Sequence, residues 1–305
     1  MYTDEQQALL DKVEDLMKEK NLSQSAVGQL IGISGTTLSQ LKNGRYKANP
    51  QKIFDTLEQF FSENKNSAYS DTNYVSTNIS GQIYKVIANC RSKGGLAVVC
   101  GDAGIGKTKT AQKFVADNPS DSFLITINPC LTGIKSLLKV IADRIGAGQE
   151  KSVNEMWFSI VNKISDGTVF IFDEAQHLTL KTIEVLRSFS DYFSDNGKTL
   201  GICFIGNLET IARMGSRKAE FAQISNRTRQ RKIYRNTDIK REDICRIFPV
   251  LEKEGMNAEI DYLLRIARTP QALRGAVNLF SNAYDNENYT YAGLVAMAEF
   301  MDMEV

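Results

Sequence analysis

The sequence predicts a central α/β domain, built on a parallel sheet with helices on both faces, between two all-helical parts. Three observations predict this fold class. Residues 79–233 alternate continuous Val/Ile/Phe-rich runs with amphipathic helices, as parallel strands that are buried on both faces require. The first 62 residues and the residues after position 236 have helical periodicity without a strand pattern. A polar segment that is poor in aliphatic side chains separates the first helical part from the α/β part.

These patterns predict boundaries for each element. The four predicted parts are an N-terminal helical domain at 1–63, a linker at 64–77, an α/β core at 78–236 and a C-terminal helical lid at 237–305. We expect strands at 96–100, 123–127, 169–172, 200–205 and 230–234, and lid helices at 237–253, 258–267, 271–284 and 291–301.

Composition excludes several classes of protein. The 305 residues are 42% hydrophobic and 24% charged, which is too apolar for a disordered chain. The net charge is +1, so attraction to nucleic acid or membrane must come from local segregation of charge. A single His leaves almost no material for a His-based triad or a multi-His metal site, and five widely spaced Cys favour reduced thiols over a disulfide framework. Without a long apolar run or an apolar N-terminal segment, we expect a cytoplasmic protein.

A phosphate-binding loop follows the first predicted strand. Residues 101–108, GDAGIGKT, match GxxxxGK[ST] between a strand and a helix. Glycines let the backbone N–H groups turn toward phosphate oxygens, the Lys reaches the β/γ-phosphates and the Thr hydroxyl ligates Mg²⁺. The predicted ATP-binding residues in this region are Gly101, Asp102, Ala103, Gly104, Ile105, Gly106, Lys107, Thr108 and Thr110.

Two carboxylates end a later strand. In the segment TVFIFDE, Asp173 is expected to join Thr108 in holding Mg²⁺, and Glu174 is expected to polarise the attacking water. Asn207 ends the next strand, where its amide could contact the γ-phosphate or the water. His177 is interpreted as a hydrogen-bonded packing residue, because Glu174 already supplies the base. Lys107, Asp173, Glu174 and Asn207 are therefore the catalytic candidates.

Residues 23–42 fit a helix-turn-helix unit of the phage-repressor type. The pattern predicts that Ala26, Leu30 and Ile33 point inward, and that Leu38 and Leu41 are buried on the second helix. A small helical domain used for protein contacts is the alternative. The residues expected to contact DNA are Thr36, Thr37, Ser39 and Gln40 in the groove and Lys42, Arg45 and Lys47 at phosphates.

The order of the ATPase motifs resembles that of the AAA+ ATPases. The resemblance implies ATP and Mg²⁺ as cofactors, and it implies an arginine that acts across a subunit interface. Arg227 matches that position best, with Arg229 close enough to be confused with it. The resemblance also implies a lid arginine that contacts the nucleotide, at Arg274.

Within the AAA+ ATPases, the whole chain resembles the family of transposition ATPases typified by the phage Mu B protein. The local matches are YVST at 74–77, AVVCG at 97–101, DEAQHL at 173–178, EFA at 220–222 and PQALR at 270–274. The family resemblance implies a phage- or transposon-encoded protein that forms an ATP-bound filament on duplex DNA. It also implies a transposase partner that stimulates hydrolysis and disassembly.

The chain departs from this family at residues 146–162, where the resemblance leads us to expect more arginines and only Lys151 is basic. By position, Thr132, Lys135 and Lys151 are the candidates for DNA contact in the core. Two other functions stay open: a helicase loader of a phage replication module, and a repressor that uses nucleotide only as a regulatory ligand.

Overall fold

Two units make up the fold in the computed structural model, Met1–Ser70 and Asp71–Val305. The structure describes residues 2–19, 22–46, 48–65, 74–131, 133–148, 150–210 and 228–303. Most of the predicted linker lies outside the described residues, and the four-part division of the chain stays a prediction.

The N-terminal unit is built from four helices: α1 (Asp4–Glu19), α2 (Gln24–Ile31), α3 (Gly35–Lys42) and α4 (Gln51–Lys65). The Ser23 and Ser34 hydroxyls cap α2 and α3 by accepting the N–H groups of Ala26 and Thr37. The buried side chains from all four helices form one core: Leu10, Val13, Val27, Ile31, Leu38, Leu41, Phe54 and Leu57.

One inward position was predicted wrongly in this unit. Leu30 is 51% exposed, whereas Val27 and Ile31 are buried. Val27 and Ile31 are four residues apart, so they share one face of α2, and they pack in the same core as Leu38 and Leu41. Ala26 and Ile33 are half-buried, and Leu38 and Leu41 are buried as predicted.

The second unit contains a five-stranded parallel sheet in the order β2-β3-β4-β1-β5. The first half of its elements in chain order are α5 (Asn78–Lys93), β1 (Gly95–Gly101), α6 (Lys107–Asp117), β2 (Ser122–Thr126), α7 (Ile134–Ile145) and α8 (Val153–Lys163). The remaining ones are β3 (Thr168–Asp173), α9 (Leu180–Asp195), β4 (Leu200–Gly206) and β5 (Thr228–Tyr234).

Helices cover both faces of this sheet. Alternate residues of β1, Leu96, Val98 and Cys100, share a buried cluster with residues of α7, α8 and α9. Helices α5 and α6 contact the sheet through other buried residues, which include Ile83 and Phe114. The predicted α/β core is therefore confirmed as a parallel sheet between two helical layers.

The lid follows β5 and is helical, as predicted, but one of its helices was predicted wrongly. The expected helix at 237–253 is a 3₁₀ turn, Asn236–Asp238, followed by two helices, α10 (Arg241–Ile247) and α11 (Pro249–Lys253). Pro249 causes the break, because proline lacks an N–H and disfavours helical backbone in the residue before it; Phe248 has φ −122° and ψ 68°. The remaining lid helices are α12 (Asn257–Ala267), α13 (Ala272–Asp285) and α14 (Tyr291–Phe300).

A buried carboxylate joins the lid to the start of the core. Asp243 on α10 is fully buried and accepts hydrogen bonds from the N–H groups of Asn78 at 2.7 Å and Lys240 at 3.0 Å. These bonds tie the first turn of α5 to α10. Among the described residues, no helix is both long and apolar enough to cross a membrane.

Candidate functional site

The predicted ATPase residues come together at the carboxyl edge of the sheet. Strand β4 lies between β1 and β3, with Cys100 paired to Gly206 and Phe172 paired to Phe204. The loop at 101–108, the Asp173–Glu174 pair and Asn207 therefore leave the sheet side by side. In parallel α/β sheets, ligands bind at this edge.

The loop at 101–108 wraps around its own start. Gly104 and Gly106 have φ of +78° and +93°, a left-handed conformation that favours glycine. Ile105 is fully buried beneath the loop, while Ala103 is exposed. Gly106 is the N-cap of α6, so the positive end of that helix faces the loop.

The side chains on α6 divide into those that support the loop and those that can face a ligand. Thr110 is fully buried and its hydroxyl donates to the Gly106 carbonyl at 2.8 Å, which supports the loop from behind. Lys107 Nζ donates to the carbonyl oxygens of Gly101 at 2.8 Å and Asp102 at 2.6 Å. Burial lowers the pKa of Lys107, and the neighbouring Asp173 and Glu174 carboxylates oppose that shift.

A hydroxyl and a carboxylate meet where Mg²⁺ binding was predicted. Thr108 Oγ1 donates to Asp173 Oδ2 at 2.6 Å. Asp173 is only 1% exposed, and burial raises the pKa of its carboxyl against the opposing effect of the Thr108 hydrogen bond. Hard oxygen donors of this kind suit Mg²⁺, which takes one or two protein groups together with phosphate oxygens and water. The residues therefore fit the ion that the ATPase fold implies.

Glu174 follows Asp173 directly and has a strained backbone conformation. Its φ of 56° is unusual for a residue other than glycine, and its side chain is exposed. The amide of Gln176 donates to the Glu174 carboxylate, and Gln176 Oε1 accepts the Asn207 N–H. Sequence reasoning missed Gln176; the available signal was a polar residue in a turn directly after the two carboxylates.

Backbone and side-chain contacts join the loop to the lid. The Arg274 N–H donates to the Gly104 carbonyl at 3.3 Å, although the Arg274 side chain is exposed. Asp102 Oδ2 accepts the Asn236 N–H at 2.8 Å, and Asn236 Nδ2 donates to the Thr269 carbonyl at 2.6 Å. The Asp102 carboxylate thus binds the segment between β5 and the lid, and no sequence pattern had indicated Asn236.

The structure describes only one of the two candidate arginines for the subunit interface, Arg229. Arg227 lies outside the described residues. The Arg229 side chain lies over Gly95, where a Cβ would be 2.9 Å from Arg229 Nε. Because Gly95 begins β1 and Gly101 ends it, Arg229 is at the opposite end of the strand from the loop of its own chain.

The predicted DNA-contacting residues of the N-terminal unit lie on or after α3. Thr36, Gln40 and Arg45 are exposed, whereas Thr37 and Ser39 are half-buried; Lys47 lies outside the described residues. Lys42 Nζ contacts Glu14 Oε1 at 2.9 Å, and this hydrogen-bonded pair lowers the pKa of Glu14. One of the lysines predicted to bind phosphate is therefore already paired with an acidic residue of α1.

The predicted DNA-contacting residues of the second unit are spread over two elements. Lys135 is exposed in the first turn of α7, and Lys151 is exposed just before Ser152, the N-cap of α8. Thr132 lies outside the described residues.

Comparisons with known proteins agree with this architecture. An AAA domain model matches residues 90–214, and a helix-turn-helix model matches residues 13–59. The chain is 26% identical over 249 residues to the ATP-dependent target DNA activator B of Escherichia phages D108 and Mu, which spans 80% of this chain and 77% of theirs. It is 24% identical to the Mu-like prophage FluMu DNA transposition protein B of Haemophilus influenzae, over 92% of this chain and 96% of that protein.

A solved structure supports the fold. The structure of Cdc6p from Pyrobaculum aerophilum superposes with a TM-score of 0.54 at 16% identity, over 74% of this chain and 67% of that one. The chain therefore combines an ATPase domain of the AAA type with a helix-turn-helix domain, and over most of its length it is similar to the DNA transposition protein B of a Mu-like prophage.

Proposed function

We propose that this chain is an ATP-dependent DNA-binding protein of transposition. Its ATP-bound form assembles along duplex DNA with little sequence preference and presents that DNA to the transposase of the same mobile element. One observation carries the proposal: the similarity to the prophage transposition protein B covers 92% of this chain and 96% of that protein, so it includes both units.

The residues at the carboxyl edge of the sheet have distinct roles in hydrolysis. Lys107 and the N–H groups of the loop bind the β- and γ-phosphates, with Lys107 Nζ exchanging its two loop carbonyls for phosphate oxygens. Thr108 and Asp173 would hold Mg²⁺, which when bound would neutralise charge on the phosphate oxygens. Glu174 polarises the attacking water and Asn207 orients it or the γ-phosphate. Their convergence on adjacent strands supports this assignment.

Two arginines connect hydrolysis to assembly. Arg227 acts on the nucleotide of a neighbouring subunit, and Arg274 contacts the nucleotide from the lid. Because the charge from Arg227 would come only from a neighbour, turnover would depend on assembly. Arg229 packs over Gly95 at the start of β1, and the choice between Arg227 and Arg229 for this role stays open.

DNA contacts come from both units. The exposed α3 residues Thr36 and Gln40 and the cation Arg45 are available in the N-terminal unit, and Lys135 and Lys151 are available in the second. Lys42 must leave Glu14 before it can bind a phosphate. Each subunit thus contributes a few weak phosphate contacts, and binding should weaken steeply with salt when they repeat along an assembly.

The test is negative-stain microscopy of the full chain with ATP and random-sequence duplex DNA. We expect filaments or rings that depend on ATP. Lys107→Ala should abolish them by weakening nucleotide binding, whereas Glu174→Gln should bind ATP, hydrolyse it slowly and stabilise them. Absence of any assembly over a range of protein concentrations would contradict the proposal.

Two alternatives predict different partners. Capture of a replicative helicase instead of a transposase by the immobilised chain would indicate a helicase loader. A footprint at one operator with little ATP turnover would indicate a nucleotide-regulated repressor. The proximity of Glu174 to the loop favours hydrolysis over a purely regulatory nucleotide.

A further inference from the structure

Gln176 occupies a buried position between two parts of the ATPase site. It lies in the 3₁₀ turn Ala175–His177 directly after β3 and Glu174, and its side chain is 8% exposed. Its Nε2 donates to Glu174 Oε2 at 2.5 Å, and its Oε1 accepts the N–H of Asn207 in a longer hydrogen bond of 3.4 Å. One side chain therefore contacts the residue that follows β3 and the residue that follows β4.

The backbone of β4 leaves space for this side chain. A Cβ on Gly206 would lie 2.6 Å from Gln176 Oε1 and 2.2 Å from Thr210 Oγ1. Only a glycine at this position lets the amide approach the end of β4 so closely. Gly206 is also paired with Cys100, the residue before the phosphate-binding loop, so the amide lies beside the strand that supports the loop.

The Glu174 carboxylate needs a contact from another residue to keep one orientation. Its side chain is exposed and its backbone is left-handed, so neither packing nor a regular element fixes the carboxylate. The Gln176 amide is a neutral donor that can hold a carboxylate without neutralising it, whereas a cation would weaken it as a base.

We propose that Gln176 is a positioning residue for ATP hydrolysis. Its amide nitrogen orients the Glu174 carboxylate toward the water. Its amide oxygen, through the bond to the Asn207 N–H, fixes the position of that carboxylate relative to Asn207. The proposal rests on the water-activating role of Glu174 given under the proposed function. It adds that a residue without contact to the nucleotide controls kcat.

The test begins with Gln176→Met, which keeps the length of the side chain but removes both hydrogen bonds. We expect kcat to fall about 10- to 100-fold, the range that loss of a hydrogen bond to a charged group supports. The Kd for a fluorescent ADP should change less than about twofold, because the phosphate-binding loop is untouched. The matched control is Gln112→Met, at an exposed position on α6, which should leave both values unchanged.

A double-mutant cycle separates positioning from a structural role. If Gln176 acts through Glu174, Gln176→Met should cause no further loss of kcat when added to Glu174→Gln, with residual phosphate release followed over long incubations. Equal losses in both backgrounds, or a parallel loss of nucleotide affinity, would overturn the inference. Normal turnover by Glu174→Gln would instead refute the role of Glu174, and a slow Glu174→Gln beside a normal Gln176→Met would refute only the present inference.

Further variants guard against a folding defect. Gln176→Asn is too short to reach both partners, and Gly206→Ala displaces the amide while keeping the glutamine. A folded variant of either kind should lose kcat with its affinity for fluorescent ADP retained. Wild-type kcat in one of them, or failure of all three to fold, would overturn the proposal in favour of a packing role.

Discussion

Three glycines of the phosphate-binding loop form a series in which contact with the lid can be measured. We consider Gly106→Ala, Gly104→Ala and Gly101→Ala, each in the full chain without nucleotide. A Cβ at Gly106 meets no atom within 4 Å, so the substitution adds only the strain of a left-handed alanine. That strain costs about 1 kcal/mol.

Gly104 adds a steric contact with the lid to the same backbone strain. A Cβ there would lie 3.1 Å from the Gln271 carbonyl oxygen and 3.2 Å from the Cβ atoms of Ala272 and Arg274. Those neighbours must move by a few tenths of an ångström, so we expect a total cost of about 2 kcal/mol, with about half from overpacking. The difference from Gly106→Ala therefore measures the contact between loop and lid.

Gly101 is the most restricted of the three. It has no positive φ, but a Cβ would lie 2.4 Å from the Tyr234 carbonyl oxygen and 2.7 Å from Ile105 Cδ1. Strands β1 and β5 would have to separate, and we expect a cost of about 3 kcal/mol, the upper end of the overpacking range.

Intrinsic tryptophan fluorescence during urea unfolding is a suitable assay. Trp157 is the single tryptophan and belongs to the Asp71–Val305 unit, where it stacks on Phe189. We expect the unfolding midpoint to fall in the order Gly106→Ala, Gly104→Ala, Gly101→Ala. Equal midpoints for Gly104→Ala and Gly106→Ala would refute the argument that the lid packs against the loop.

Three further predictions concern other residues. Asp102→Leu removes the acceptor for the Asn236 N–H, so it should lower the urea midpoint and reduce the free energy of unfolding by about 1–2 kcal/mol. Asp102→Asn keeps an acceptor and should stay near wild type; similar losses in both variants would contradict this. Glu14→Gln should release Lys42 and so raise the affinity for random duplex DNA a few-fold at low salt, as measured by fluorescence anisotropy. An equal rise in a Lys42→Ala background would refute this explanation. Cys130 should be the one thiol that reacts rapidly with a disulfide reagent, and the fast reaction should disappear in Cys130→Ser. Burial raises the pKa of Cys90 to about 12, and the other three thiols are also buried. A second fast thiol would contradict this.

Much of the candidate nucleotide site was predictable from local sequence. The GDAGIGKT loop and the apolar strand that leads into Asp173 and Glu174 each combine a pattern with a local backbone geometry, and the structure brings Thr108 and Asp173 into contact. The helices of the N-terminal unit were also predictable, because Ser23 and Ser34 cap α2 and α3 locally. The break at Pro249 was readable from the proline itself but was missed because the apolar pattern continues through it.

The remaining features depended on contacts between distant residues. Leu30 and Val27 are both apolar residues of α2, and only the packing of the other three helices decides which one is buried. Asn236 has no distinctive pattern, and the polar residue after the two carboxylates, Gln176, does not by itself reveal its partner; the contacts of both residues come from partners 134 and 31 residues away.

The sequence by itself determined the class of chemistry, because a phosphate-binding loop and a strand-ending carboxylate pair require only short stretches of chain. The tertiary structure decided how these stretches meet. With β4 between β1 and β3, the side chain of Gln176 reaches from Glu174 to Asn207, and the lid reaches Gly104. Strand order and close packing are properties of the folded chain as a whole, so no local pattern could have specified them.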